Sequence, residues 1–209
     1  MFADLGFPDA AERQAKLRLA YALNQVLEER KLSQAEAAKV LDAKELLAQV
    51  LAGQDRYDEA IKLAREICAL NPDVLSSRIV LTGVLMEAGR LDEALQEGNA
   101  AAEVAPSDAR PHSTLGAIYL KMGDGTAALA AFERMARCLD PSMERLPSSG
   151  LVWCDAGRGA ALSLLGRHVE AMAAFEEVLR TDQGFFERWP EVAPHYHLSS
   201  RETERNNTR

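Results

Sequence analysis

Between Leu41 and Pro141 the apolar positions of the chain recur with a fixed step of 34 residues. Leu47, Leu81 and Leu115 fall on that step, and so do Ala60, Ala94 and Ala128. A polar corner recurs in the same phase: Gln54-Asp55-Arg56, then Ala88-Gly89-Arg90, then Met122-Gly123-Asp124. Pro72, Pro106 and Pro141 close the repeats, 34 and then 35 residues apart. A period of this length predicts one supersecondary unit stacked on copies of itself. A fourth copy, Gly166-Arg167-His168-Val169-Glu170-Ala171, starts out of step, 166 − 123 = 43 residues after Gly123. The excess is the Pro- and Ser-bearing stretch at 141–150, which has the composition of a linker.

Upstream, Asp9 and Glu12 form a capping-box arrangement that predicts a helix with Leu19, Leu23, Val26 and Leu27 on one side. Lys31-Leu32 breaks it. Ser33 and Glu36 predict a second, short helix whose Ala35, Ala38 and Leu41 face the first. Downstream, Gly184 to Trp189 predicts a short helix whose aromatics cover the open end of the stack. From Pro190 the pattern becomes irregular, and from Ser199 to Arg209 it reads as disordered.

Composition narrows the function classes. Hydrophobic residues make up 47% of 209, enough for a core, and the net charge is −8. That balance argues against a broad basic surface for nucleic acid. Residues 1–41 carry six Lys/Arg and six Asp/Glu, so the negative excess lies downstream. Cys68, Cys138 and Cys154 contain no CxxC and predict reduced, buried thiols in a reducing compartment. No apolar run approaches the roughly 20 residues of a membrane helix, and the N-terminus lacks a basic region ahead of an apolar one. The expected location is cytoplasmic, with no membrane contact.

No nucleophile elbow, zinc-protease helix, phosphate loop or dinucleotide fingerprint is present, so the expectation is a non-enzyme without cofactor or metal. The pairs Asp58-Glu59 and Asp92-Glu93 recur at one phase of the repeat and are expected to serve the dipoles of second helices. His195-Tyr196-His197 is too sparse a ligand set for a metal. His112 and His168 are expected to be solvated.

Two resemblances sit on these patterns. Phe2 to Asp9, the helix through Val26-Leu27-Glu28-Glu29-Arg30-Lys31, and Leu32-Ser33-Gln34-Ala35-Glu36-Ala37-Ala38 look like the start of an XRE-type, antitoxin-like helix-turn-helix regulator. The family's tight turn and polar recognition helix should follow. Asp42 to Ala52 offers only Lys44 and Gln49 as DNA-contacting side chains. Residues 1–41 therefore read as a degenerate remnant that caps the first repeat, and Leu41 to Gly53 are assigned to that repeat. Any contact with nucleic acid would run through residues 1–53.

The repeats resemble the tetratricopeptide family. Leu47-Ala48, Leu81-Thr82 and Leu115-Gly116 stand at its large-small pair. Ala64, Gly98, Phe132 and Phe175 stand at its aromatic-or-small position on the second helix. The resemblance implies an all-α, right-handed solenoid of stacked antiparallel helix pairs: three repeats over 42–141, a loop over 142–150, a fourth repeat over 151–182, and a cap and tail over 183–209. It also implies a concave groove for a protein or peptide. The family's groove positions fall on Asp42, Glu45, Gln49, Ser76, Ile79, Met86, Arg110, Ser113, Ala117, Lys121, Trp153 and Ala156, with Gly83, Glu87, Leu120, Ala160 and Ser163 beside them. Arg110 and Lys121 near Trp153 suit a peptide bearing an acidic group and an apolar side chain. The carboxylate-clamp variant of the family requires Lys and Asn where Glu45 and Gln49 stand, so that specialisation is disfavoured. The expected role is an interaction scaffold. The alternative is a helix-turn-helix regulator whose repeats sense a peptide or dimerise, and self-association stays open in either case.

Overall fold

The computed structural model describes residues 34–207, apart from 71, 141, 143–145 and 148. The predicted helix beginning near Asp9 lies outside these residues. Those described form ten helices and no strand. In order these are α1 (Gln34–Ala52), α2 (Tyr57–Leu70), α3 (Leu75–Glu87), α4 (Leu91–Val104), α5 (Ala109–Met122), α6 (Gly125–Cys138), α7 (Gly150–Leu164), α8 (His168–Thr181), α9 (Phe185–Arg188) and α10 (Ala193–Asn207). The first eight pair into four helical hairpins. The chain divides into two compact modules, Met1–Glu97 and Gly98–Arg209, with the division inside α4.

One corner builds all four hairpins. The backbone N–H of Arg56, Arg90, Asp124 and Arg167 donates to the carbonyl of Leu51, Leu85, Tyr119 and Leu162, at 2.9–3.0 Å. This bond, reaching back across the last turn, closes each first helix in a left-handed cap. Gly89, Gly123 and Gly166 adopt φ near +75° there, and Asp55 takes the same turn at φ +59°. The following N–H of Ala60, Ala94, Ala128 and Ala171 then opens each second helix. Alanine is required by space: all four are wholly buried.

In the N-terminal module, α1, α2 and α3 pack together over Ala48, Leu51, Ala60, Ile61, Ala64 and Ile67. Helix α1 corrects an expectation. The short helix from Ser33 does not end at Leu41 but continues without a break to Ala52. Nothing between Val40 and Glu45 is a Gly or Pro, and Ala, Leu, Lys and Glu all sustain a helix, so no turn is encoded there.

In the C-terminal module the core is organised by two phenylalanines against glycines. Phe132 is wholly buried. A methyl group on Gly116 would lie 2.7 Å from its ring, and one on Gly157 only 2.3 Å. Phe175 repeats the device against Gly159, at 2.6 Å. Helices approach this closely only where glycine vacates the space, so large and small side chains are matched across the hairpin. In the N-terminal module the corresponding pair is two buried alanines, Ala48 and Ala64.

Beyond Asp182 the structure departs from the irregular tail expected. Helix α10 packs against α7 and α8. Val192, just ahead of the helix, and Tyr196, Ser199 and Thr203 within it form the inward row at helical spacing, with Ser199 fully buried. Ser199 Oγ lies 3.2 Å from His168 Nδ1, and Ser163 Oγ donates to the His195 carbonyl at 3.1 Å. The packing face mixes Val192 and Tyr196, which join the core around Phe175, with the hydrogen-bonded Ser199 and Thr203, so hydrophobic periodicity reveals it only weakly. Helix α9 carries the aromatics expected of the short segment: Phe185 is buried and tilts against Trp153, with centroids 6.0 Å apart.

Candidate partner-binding groove

The predicted groove positions lie on first helices, and each module carries its own set. In the N-terminal module the central residue is Glu45. It is only 8% exposed, and it accepts hydrogen bonds from Ser76 Oγ at 2.9 Å and Ser77 Oγ at 2.8 Å. This corrects its reading as a partner-facing acid: a buried carboxylate needs internal donors, and two serines of α3 supply them. Ser76 is engaged by the same bond. Gln49 and Asp42 are exposed, while Ile79, Gly83 and Met86 are half-buried.

A second polar tie recurs next to these positions. Arg78 Nε donates to the Pro72 carbonyl at 3.0 Å, while its Nη1 reaches Glu97 at 3.2 Å. One repeat later, His112 Nε2 lies 3.2 Å from the Pro106 carbonyl. A carbonyl only accepts, so Nε2 carries the proton. His112 is therefore no solvated side chain but a buried tie, 8% exposed, and its Nδ1 has no hydrogen-bond partner. His168, half-buried on Ser199, is likewise not freely solvated. The recurrence of closing prolines was visible in the sequence; the need of their carbonyls for a donor was the missed signal.

In the C-terminal module Trp153 Nε1 donates to Ser113 Oγ at 2.9 Å, joining two predicted groove residues from successive repeats. Trp153 is half-buried and packs against Trp189, with centroids 5.0 Å apart, and Trp189 keeps 38% of its surface exposed. Sequence reasoning gave Trp189 to the cap alone. Ala117 and Leu120 are half-buried, and Lys121 is exposed in the last turn of α5. Arg110 is exposed, but Asp108 holds it: Nε and Nη2 meet the two carboxylate oxygens at 3.0 and 2.7 Å. That pairing also keeps the Asp108 carboxyl below its usual range. Ala156 is wholly buried within the core with Val152 and Ala160, and Ser163 faces inward too. Neither can meet a partner, which corrects the groove reading of the fourth repeat. Its first helix is sunk under α9 and α10, whereas the template presumes an open face.

The remaining chemistry is structural. None of the three cysteines forms a disulfide. Cys154 is buried, while Cys68 and Cys138 are only partly so, against the expectation of three buried thiols. Burial, helped by Glu97 and opposed by Arg78, pushes the Cys68 thiol up to about 11. Among the described residues no cluster of three or more metal-ligating side chains forms, and no helix is long and apolar enough to cross a membrane.

Residues 51–118 and 152–177 match family models described as tetratricopeptide repeat. Residues 51–118 and 152–177 carry tetratricopeptide repeats. Residues 1–46 match a model described as a helix-turn-helix domain. A tetratricopeptide repeat-containing thioredoxin, TTL4, from Arabidopsis thaliana is 30% identical over 113 residues, 53% of this chain and 17% of that protein. The chain thus spans about a sixth of that relative. Among solved structures, a tetratricopeptide repeat protein from Parabacteroides merdae aligns with a TM-score of 0.68 at 12% identity, covering 94% of this chain and 72% of the other. TTC0263 from Thermus thermophilus gives 0.62 at 19%, covering 88% and 98%. YrrB, described as having an unusual peptide-binding site, gives 0.58 at 16%, covering 88% and 85%. At these identities the likeness establishes the fold, an all-helical tetratricopeptide solenoid.

Proposed function

We propose that the chain is a non-enzymatic interaction scaffold that binds a peptide or protein segment along the first helices of its repeats. The observation that carries this reading is the group at α5 and α7. There Trp153, fixed by Ser113 and flanked by the part-exposed Trp189, lies in the same module as Lys121, which has no carboxylate partner among the described residues. An indole held by one hydrogen bond presents apolar area at little entropic cost, and an exposed ammonium supplies charge selection. A segment with an acidic group and an aromatic or aliphatic side chain fits this chemistry. Affinity capture followed by identification of the bound protein tests it. The captured partner must be lost on Lys121→Glu while the helical circular dichroism is unchanged; retention counts against the reading.

A second reading, a DNA-binding regulator, has the helix-turn-helix match over residues 1–46 in its favour. Against it, residues 34–52 form one uninterrupted helix, where a reading head needs two helices and a turn. Ala48, Leu51 and Ala52 of that helix are buried in the repeat core. The scaffold reading keeps residues 1–41 as a cap. Binding of the full chain to duplex DNA with a steep salt dependence would reverse the preference.

A further inference from the structure

Most arginines among the described residues are held by a carboxylate, as Arg56 is by Glu59, Arg90 by Glu93, Arg167 by Glu170 and Arg180 by Glu177. Arg134 and Arg137 are exceptions. Both are exposed, three residues apart on α6, and neither has a carboxylate partner among the described residues. They line an open cavity of about 430 Å³ together with Ser107, His112 and Cys138. A smaller cavity of about 160 Å³ shares His112 and Arg134 and continues over Leu115, Tyr119 and alanines of α6.

The repeat explains why this space exists. Arg78 satisfies its second nitrogen with Glu97. His112 stands one period after Arg78, and the residue one period after Glu97 is Ala131, because 97 + 34 = 131. Where the preceding repeat supplies a carboxylate, this one supplies a methyl group. Ala131 lines the smaller cavity, and His112 Nδ1 is left buried without a partner. The one carboxylate just ahead of α5, that of Asp108, is already neutralised by Arg110.

We propose that this pair of cavities binds a small ligand carrying a phosphate-type oxyanion, gripped by Arg134 and Arg137. One guanidinium fork satisfies one carboxylate, whereas two forks suit a tetrahedral group with three or four acceptor oxygens. The Ser107 hydroxyl adds a donor at the rim. The apolar surface of Leu115 and Tyr119 suits an organic body attached to that group. The site uses the second helix and the inter-repeat loop, and is independent of the groove reading.

The test is an NMR titration of the full chain with inorganic phosphate and, separately, phenyl phosphate, each at ionic strength held constant with chloride. Saturable shifts are expected at residues 107–112 and 134–138, with affinity at least about tenfold weaker in Arg134→Gln/Arg137→Gln and unchanged in Arg180→Gln, which removes an equal charge from a helix that does not line the cavities. Tighter binding of phenyl phosphate assigns an organic monoester; equal affinity assigns the free ion. Shifts no larger than chloride produces, or shifts that survive the double substitution, overturn the proposal.

Discussion

The two modules use the same repeat positions to opposite effect. In the N-terminal module Glu45 is closed off by two serines, and Arg78 is shared between a proline carbonyl and Glu97. In the C-terminal module the equivalent of Arg78 is His112, with one nitrogen unpartnered, and Arg134 and Arg137 stand without carboxylates among the described residues, whereas Arg56, Arg65, Arg78 and Arg90 of the N-terminal module are all paired. The backbone device is one and the same. The side chains differ in how completely they satisfy each other, and a polar group left without an internal partner is one available to something else. The aromatic content follows the same division: in the C-terminal module Trp189, Trp153, Phe185, Phe186 and Tyr196 form a continuous chain of ring contacts, each with the next.

The contrast breaks most sharply at the glycines. Gly157→Leu places a side chain inside the Phe132 ring and should destabilise the chain by about 3 kcal/mol. Gly83→Ala, with nothing within 4 Å of the added carbon, should instead stabilise it by roughly 0.5–1 kcal/mol through helix propensity. Urea unfolding of both variants checks the pair, and similar midpoints would remove the packing distinction. Next in size, Glu45→Ala leaves two serine hydroxyls without their acceptor and should cost about 2 kcal/mol by the same measurement.

The fold was legible because the repeat is written in residues with few alternatives. Glycine or aspartate at the corner, alanine at the crossing and proline at the close each answer a local steric demand. The candidate site was only partly legible. Groove positions borrowed from a template assume an open first helix, and Ala156 and Ser163 lie under a helix, α10, that the pattern did not announce. That helix is held by Tyr196 against Phe175 and Phe186 and by the hydrogen-bonded Ser199, His168 and Ser163, so only part of its packing carries a hydrophobic signal. Glu45 looked like a surface acid because its serine partners lie 31 and 32 residues away, and pairing at that distance is set by the stacking of repeats.

Smaller effects sharpen the comparison further. Trp153→Phe keeps the ring but removes the hydrogen bond to Ser113, and should cost about 1 kcal/mol in chemical denaturation. An unchanged midpoint would show that the indole is held by packing alone. At His195 burial lowers the imidazole pKa. The unfolded chain, with a histidine near the ordinary value of about 6.5, then takes up a proton that the folded form resists. Stability is intact above that pH and declines as pH falls through it. Hydrogen-exchange protection factors of the α10 amides, which divide out the slower intrinsic exchange at lower pH, should fall between pH 7 and pH 5.5, and His195→Gln should flatten that dependence. An equal fall in the variant would remove His195 as the cause.

The central claim, that partner recognition resides in the C-terminal module, is tested most directly by peptide selection on the full chain. A random-peptide library should enrich sequences that combine an acidic residue with an aromatic or aliphatic one. Calorimetry on a selected peptide should show affinity falling at least about tenfold with Lys121→Glu and unchanged with Gln49→Lys. Loss of binding at Gln49 with none at Lys121 would contradict the account.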